Sequence, residues 1–450
     1  MKKYFCLLLF LFFLPFAVCY GEKLYTMAPS QLAGTTRQMK APGFWIGRHS
    51  SPDKIFLNRR QIENYNAYIR NELKLTTDIT KVSLSAEELE TTLENNWNDF
   101  RAKKFYLPSG KTAAPAFFQD LKTKMDLSQI PERVDVRFGF IVHYADQRFF
   151  PTQEGLYAQE GDFDFDELQN STLDVGTPVA ILHKSRDRLW SYTISAASAG
   201  WVRTKDIAVV DLKEVQKFFA SKSFVITKKA RTDIFLDPQL TKFYDYARMG
   251  SRFLVPPLSP SGVTEILLPI RQSDGRAVMQ TAYVRGTDVY TDYLPYTARN
   301  MIEQAFELLN QPYGWGGMYG EQDCSAFLQE IFAVVGISLP RDSKDQAKVG
   351  KVFATFNASI SPERKNQVLI NDGIGGITLL HLKGHILLFL GSVGQRAYAI
   401  HATWGYREKD GNEQRVRVIN RVIVSDLSLG EGSQKGSLLE RLEKISLVSP

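Results

Sequence analysis

Cysteine is scarce in this chain: 450 residues contain three, Cys6, Cys19 and Cys324. So few cysteines offer no disulfide framework of the kind that staples small secreted domains. The paired cysteines of a structural zinc site are missing as well, and so is a His-Glu-x-x-His pair. No glycine-rich loop ends in Gly-Lys-Ser or Gly-Lys-Thr, which removes the usual phosphate cradle. Excess charge is also small. The formal net charge is +6, and Lys2 and Lys3 supply two of those charges, leaving +4. That is too mild for nucleic acid, which needs a clustered basic face, and suits a polyanionic wall polymer only weakly. Long apolar runs are absent apart from one at the N-terminus, so nothing else is long enough to span a membrane.

That run, Tyr4 to Val18 behind Met1-Lys2-Lys3, reads as a secretory signal peptide over residues 1–19, with Ala17 and Cys19 at a plausible cleavage spacing. The alternative is a lipid anchor on Cys19, the one route to a membrane. Either way the chain is expected to be exported, to the periplasm or the cell surface. The first two cysteines fall in this segment, so Cys324 is expected to be left without a protein partner. An unpaired thiol in an exported protein is either reactive or an inert small hydrophobe.

A composition of 44% hydrophobic and 23% charged residues is that of ordinary globular protein, and 450 residues suggest about three or four domains. Residues 22–130 read as mainly helical and stabilising. Ile62, Tyr65, Ile69 and Leu73 share one face, and Ser85 with Glu88 makes a capping box ahead of Leu89, Leu93, Trp97 and Phe100. From 131 the pattern changes to short strands with turn residues, which suggests two small β-barrels in tandem, 131–212 and 213–292. Asp274-Gly275 between two apolar runs is the clearest hairpin signal. The last part, 293–450, has a helix capped by Thr297, a turn Tyr313-Gly-Trp-Gly-Gly-Met-Tyr-Gly320, a helix opening at Cys324, and strands at 377–380, 385–390 and 397–402. The fold class is α+β.

Cys324 at a helix start gains from the helix dipole and from free backbone N–H groups, which favour a thiolate and can hold an oxyanion. The glycines before it let backbone approach a substrate. His49, His143 and His183 lie far upstream and read as solvated or structural. His381, His385 and His401 follow Cys324 in its own domain. A simple hairpin centred on Val393 would put His385 directly opposite His401, with Cβ atoms ~5 Å apart on one face. One histidine then serves as base and the other orients it. His381 reads as a loop residue.

Asp323-Cys324-Ser325 opening a helix, Tyr313-x-Trp315-Gly316-Gly317 before it, Pro340-Arg341-Asp342-Ser343-x-x-Gln346 after it, and then His385 and His401, resemble bacterial NlpC-type peptidoglycan endopeptidases. The helical segment and two SH3-like barrels resemble the multidomain branch that cleaves γ-D-glutamyl–diamino acid bonds. The resemblance implies a papain-like domain with Cys324 as nucleophile, His385 as base and His401 as orienter. It implies Tyr313 at the oxyanion site, and Asp323, Ser325 and Ser343 holding the substrate's N-terminal amine. It implies a first barrel closing one end of the cleft, peptidoglycan-derived peptides as partners, and neither cofactor nor metal. Two departures stand out. Leu382-Lys-Gly-His385 lacks the acid that commonly precedes the histidine, and Ala196 to Ala199 offer no aromatic to the cleft. The alternatives are an amidase cutting elsewhere in the wall and a non-catalytic wall-binding protein.

Overall fold

The computed structural model describes residues 25–256, 263–411 and 413–449. The signal segment and Cys19 lie outside the described residues. The N-terminal part contributes β1 (Tyr25–Met27) and four helices: α1 (Pro42–Ile46), α2 (Arg59–Asn71), α3 (Ala86–Arg101) and α4 (Pro115–Met125). Asn58 caps α2 in a capping box with Gln61, and Ser85 does the same for α3 with Glu88. Each box satisfies two otherwise orphaned backbone N–H groups. Expected as one unit, this region packs in two places. Trp45, Leu57, Ile62, Tyr65 and Ile69 join the core of the C-terminal domain. Leu89, Leu93, Phe118 and Leu121 join that of the first barrel, against Trp190 and Trp201. The buried stripes of α2 and of α3 with α4 simply find different partners, and β1 adds a parallel strand to the C-terminal sheet.

The first barrel runs β2 (Arg137–Ile141), β3 (Ala145–Arg148), β4 (Gln169–Leu173), β5 (Pro178–Lys184), β6 (Trp190–Ile194), β7 (Ala199–Arg203) and β8 (Ile207–Val210), in the order β4-β3-β7-β6-β5-β2-β8. A helix that the sequence reading did not anticipate, α5 (Leu212–Ala220), joins it to the second barrel and buries Val215 and Phe218. The second barrel has β9 (Phe224–Thr227), β10 (Arg231–Phe235), β11 (Phe243–Arg248), β12 (Arg252–Leu254), β13 (Val263–Arg271), β14 (Ala277–Arg285) and β15 (Val289–Thr291). The Asp274-Gly275 turn closes the β13–β14 hairpin, pairing Arg271 with Ala277.

The C-terminal domain contains α6 (Ala298–Glu307), α7 (Cys324–Ala333), α8 (Ser343–Gln346), β16 (Lys351–Thr355), α9 (Pro362–Asp372), β17 (Thr378–Leu382), β18 (His385–Val393), β19 (Arg396–Asp410), β20 (Glu413–Asp426) and β21 (Leu442–Leu447). Its sheet order is β1-β20-β19-β18-β17-β21-β16. Alternation along β18 decides what packs where. Ile386, Leu388 and Leu390 share a core with Phe327 and Ile331 of α7, while Leu387 and Phe389 share one with Leu369 of α9. Both faces of the strand are therefore buried, which is why it reads as a continuous apolar run. Where α2, both barrels and the back of α7 meet lies a crevice of about 880 Å³. Arg341 and Glu330 line it, and Cys324 does not.

Candidate active site

Cys324 is the first residue of α7 and is buried. Asp323 caps the helix, its Oδ1 accepting from the N–H groups of Ser325 at 3.1 Å and Ala326 at 2.8 Å. The Ile386 N–H, which lies before the β18–β19 pairing begins at Leu388 and Ile400, donates to the Cys324 sulphur. Burial and then the Asp323 charge push the thiol up to about 12, against which the Ile386 N–H, Arg341 and the Ser325 N–H pull the other way. The Ser325 N–H at the helix start pulls toward the thiolate, as expected, while burial pulls toward the thiol. In this substrate-free site desolvation outweighs the dipole.

His385 Nε2 lies 2.9 Å from His401 Nδ1. The two are not directly opposed. The hairpin turns at Gly394-Gln395, with Val393 paired to Arg396, and its register shifts between Phe389 and Gly391. Continuing the Leu388–Ile400 register puts Leu387 opposite His401, so His385 is its diagonal neighbour on the same face, within reach of a long side chain. His401 Nε2 is 3.0 Å from Ser425 Oγ on β20, and both residues are fully buried. The Ser425 hydroxyl can donate or accept, so the chain of bonds is compatible with either tautomer of His401. With its proton on Nε2, His401 donates to Ser425 and offers the Nδ1 lone pair to the Nε2–H of His385. The Nδ1 of His385 then keeps a free lone pair. Burial first, then the charges of Arg441 and Lys435, lower His385 to about 3. His401 is held well below its ordinary value by burial and by His385. Burial thus favours the neutral form of the thiol and of both imidazoles.

Tyr313 sits close enough to Cys324 and Asp323 that their charges, after burial, raise its hydroxyl. Asp323 and Ser325 are also at the site, but not free for an amine. Oδ1 of Asp323 further accepts from Ser325 Oγ at 2.9 Å and Arg341 Nη1 at 3.1 Å, and Oδ2 from Arg341 Nη2 at 2.6 Å and the Gly316 N–H at 3.2 Å. Ser325 Oγ accepts from Arg341 Nη1 at 2.8 Å. With six donors on a carboxylate that has about four lone-pair sites, nothing is left for a substrate ammonium. Asp323 and Ser325 are built into the fold. Ser343 opens α8 and is half-buried. His381 is in β17 rather than a loop, because Lys383-Gly384 is a tight turn pairing Leu382 with His385, and its Nδ1 lies 3.6 Å from Glu443. His143 bonds Asp245 at 3.0 Å and His183 bonds the Met125 carbonyl at 2.8 Å, both structural.

The glycines before Cys324 face the barrels rather than open space. A Cβ on Gly316 would lie 2.6 Å from the Gln169 carbonyl oxygen. One on Gly317 would overlap Thr172, and one on Gly320 would overlap the Tyr246 hydroxyl. All three have positive φ. Tyr144 of the first barrel donates to the Gly317 carbonyl at 2.6 Å and accepts from the Gly320 N–H at 3.0 Å. Arg341 donates to Ser171 Oγ at 3.1 Å. Trp201 is fully buried in the barrel core. Phe165 instead meets Trp315 and Trp404 edge to face, at 5.4 and 5.2 Å. Asp164 accepts from the Trp404 indole at 2.7 Å. Sequence reasoning missed Ser425, Tyr144, Ser171 and Phe165, and quoted Arg341 without a role.

Residues 310–362 match the NlpC/P60 family, and residues 156–203 match the SH3 domain of the SH3b1 type. A γ-D-glutamyl-L-lysine dipeptidyl-peptidase of Bacillus subtilis is 48% identical over 56 residues, 12% of this chain and 19% of that protein. The chain thus matches about a fifth of that relative's length. An NlpC/P60 endopeptidase from Photobacterium damselae subsp. piscicida shares the fold with a TM-score of 0.73 and 21% identity, over 89% of this chain and 95% of that one. An NlpC/P60 family protein from Bacillus cereus aligns with a TM-score of 0.45 and 18% identity, over 63% of this chain and 83% of that one. The chain therefore carries a segment that matches the NlpC/P60 family, a family of cysteine peptidases, behind one that matches the SH3 domain of the SH3b1 type.

Proposed function

We propose that this chain is an exported cysteine endopeptidase that hydrolyses γ-D-glutamyl–diamino acid bonds in peptidoglycan stem peptides. The observation that carries the reading is the His385–His401 bond of 2.9 Å in the domain whose helix opens on Cys324. The printed name of the Bacillus relative supports the γ-D-glutamyl bond. In this reading His385 Nδ1 takes the thiol proton as sulphur attacks the carbonyl carbon, so the thiolate exists only as it reacts. Concerted transfer suits a site whose resting partners are both neutral. The oxyanion meets the Cys324 N–H and the Tyr313 hydroxyl. His385 then protonates the departing amine, leaving a thioester that water hydrolyses. His401 and Ser425 hold the imidazole in the required tautomer.

The test is release of diaminopimelate from L-Ala-γ-D-Glu-diaminopimelate. Wild type is expected to turn over and Cys324→Ala to show none. Absence of wild-type turnover, or equal turnover in Cys324→Ala, overturns the reading.

A further inference from the structure

The helix that opens on Cys324 carries a buried acid that the chemistry above does not use. Glu330, further along α7, is 7% exposed, and neither of its carboxylate oxygens has a hydrogen-bond partner among the described residues. Leaving such a group unpartnered costs stability, and an apolar residue of similar volume would avoid that cost.

The groups around it come from three parts of the fold. Arg248 of β11, also buried, brings Nη1 to 3.6 Å from Glu330 Oε1, an ion-pair distance but too long for a hydrogen bond. The same guanidinium is already held by Asp174, in the loop after β4, through Nε at 3.1 and 3.2 Å and Nη2 at 2.9 Å. One cation from the second barrel thus faces two acids, one from the first barrel and one from α7. Glu321 and Asp323, just before α7, add negative charge and are paired with Arg231 and Arg341. Burial comes first, against the pull of Arg248 and with the repulsion of Asp174, Glu321 and Asp323, and the Glu330 carboxyl is pushed up to about 8.

This junction sits where the barrels close on the C-terminal domain. A Cβ on Gly250 would lie 2.6 Å from the Ala333 Cβ and 3.0 Å from the Glu330 carbonyl oxygen, so the second barrel is seated directly on α7. The crevice runs along the same seam, with Asp174, Arg248 and Glu330 in its wall, so water is at hand when the seam parts. The bonds of Tyr144 to Gly317 and Gly320, and of Ser171 to Arg341, cross from the first barrel to that domain as well.

We propose that Asp174, Arg248 and Glu330 form a proton-operated latch between the two barrels and α7, shut while Glu330 holds its proton and released when that proton passes to the water of the crevice. Shut, the junction keeps the proton up to about 8; parted and wetted, Glu330 returns toward its ordinary 4.5. Parting therefore releases a proton between those values. The latch is tightest below 4.5, weakens by up to about tenfold per pH unit as pH rises, and levels off above 8. Release loosens the turn before Cys324, because the Tyr144 bonds span the seam.

The experiment is hydrogen exchange of the Gly320 N–H, which Tyr144 holds at 3.0 Å, in the full chain and in Glu330→Gln, with Glu330→Leu as a second neutral variant. Rates are taken relative to unstructured peptide at each pH. Wild-type protection should fall by roughly tenfold to a hundredfold between about pH 5.5 and 7.5, and the neutral variants should lose that slope. The comparison cancels what the site histidines contribute, since all three proteins keep them. In wild type alone, NMR of the glutamate side-chain carboxyl carbons should show one that titrates near 8. Flat wild-type protection overturns the latch, as does an equal slope in the neutral variants. A set of glutamates that all titrate below about 6 overturns it without any variant. Neither readout needs substrate, so the latch and the peptidase reading stand or fall separately.

Discussion

Ser425 has one hydroxyl in contact with His401, and as the acceptor in that contact it would hold the His401 proton on Nε2. Ser425→Ala should lower kcat by about tenfold with little change in KM, because the fraction of His385 in the productive tautomer drops. Ser425→Thr, which keeps the hydroxyl, should recover most of the loss, and steady-state kinetics of the two variants check this. A second prediction concerns the thiol itself. With Cys324 held up to about 12 by burial, its alkylation by iodoacetamide in the free protein should climb with pH beyond 9, without levelling off near neutrality. The pH dependence of inactivation measures it. Cys324 was legible because it is a leftover thiol at a helix start. Ser425 was not, because a serine in an apolar strand carries no local signal and gains meaning only when β20 is laid beside β19. Arg341 was legible as part of a motif, while its role depended on knowing that Asp323 is buried beside it.

The capped helices were the most legible elements. A capping box spans four residues, and the stripe of Ile62, Tyr65 and Ile69 lies within one helix, so both signals are local. The hairpin between His385 and His401 shows the opposite case. Its two-residue turn and shifted register moved the opposing residue by two positions yet left both rings on one face. The glycine-rich turn was legible as a turn and misread in purpose. Gly317→Ala should destabilise the fold by roughly 1–3 kcal/mol, from positive φ and from the overlap with Thr172. Urea denaturation measures this, and Gly384→Ala is the comparison. Gly384 also has positive φ but faces open space, so it should lose only the backbone part.

For the whole molecule, the buried groups of the site set a pH window. His385 and His401 are neutral in the fold well below their ordinary value of 6.5, whereas the unfolded chain takes up protons as pH falls through 6.5. Unfolding therefore binds protons there, and stability falls as pH drops from 6.5 toward 3, by up to about 1.4 kcal/mol per pH unit for each histidine. At the other end the unfolded thiol ionises near 9 while the native thiol holds its proton to about 12, so stability falls again above 9. Urea midpoints across pH measure both limbs, and Cys324→Ala should remove the part of the upper limb that begins near 9, leaving the part from the buried tyrosines that begins near 10. The barrels and the N-terminal helices escaped full description from sequence because their partners lie hundreds of residues away, as Tyr144 lies from Gly317.

The clamp on Gly316, Gly317 and Gly320 bears on how such a protein can be rebuilt. A recognition module that hangs from a linker can be exchanged for another without touching the chemistry beside it. Here the first barrel holds the carbonyls and N–H groups of the turn that precedes Cys324, and its Ser171 steadies the arginine that fixes Asp323. The barrel is part of the catalytic apparatus's scaffold. Swapping it for a foreign module should remove the contacts that hold the turn before Cys324.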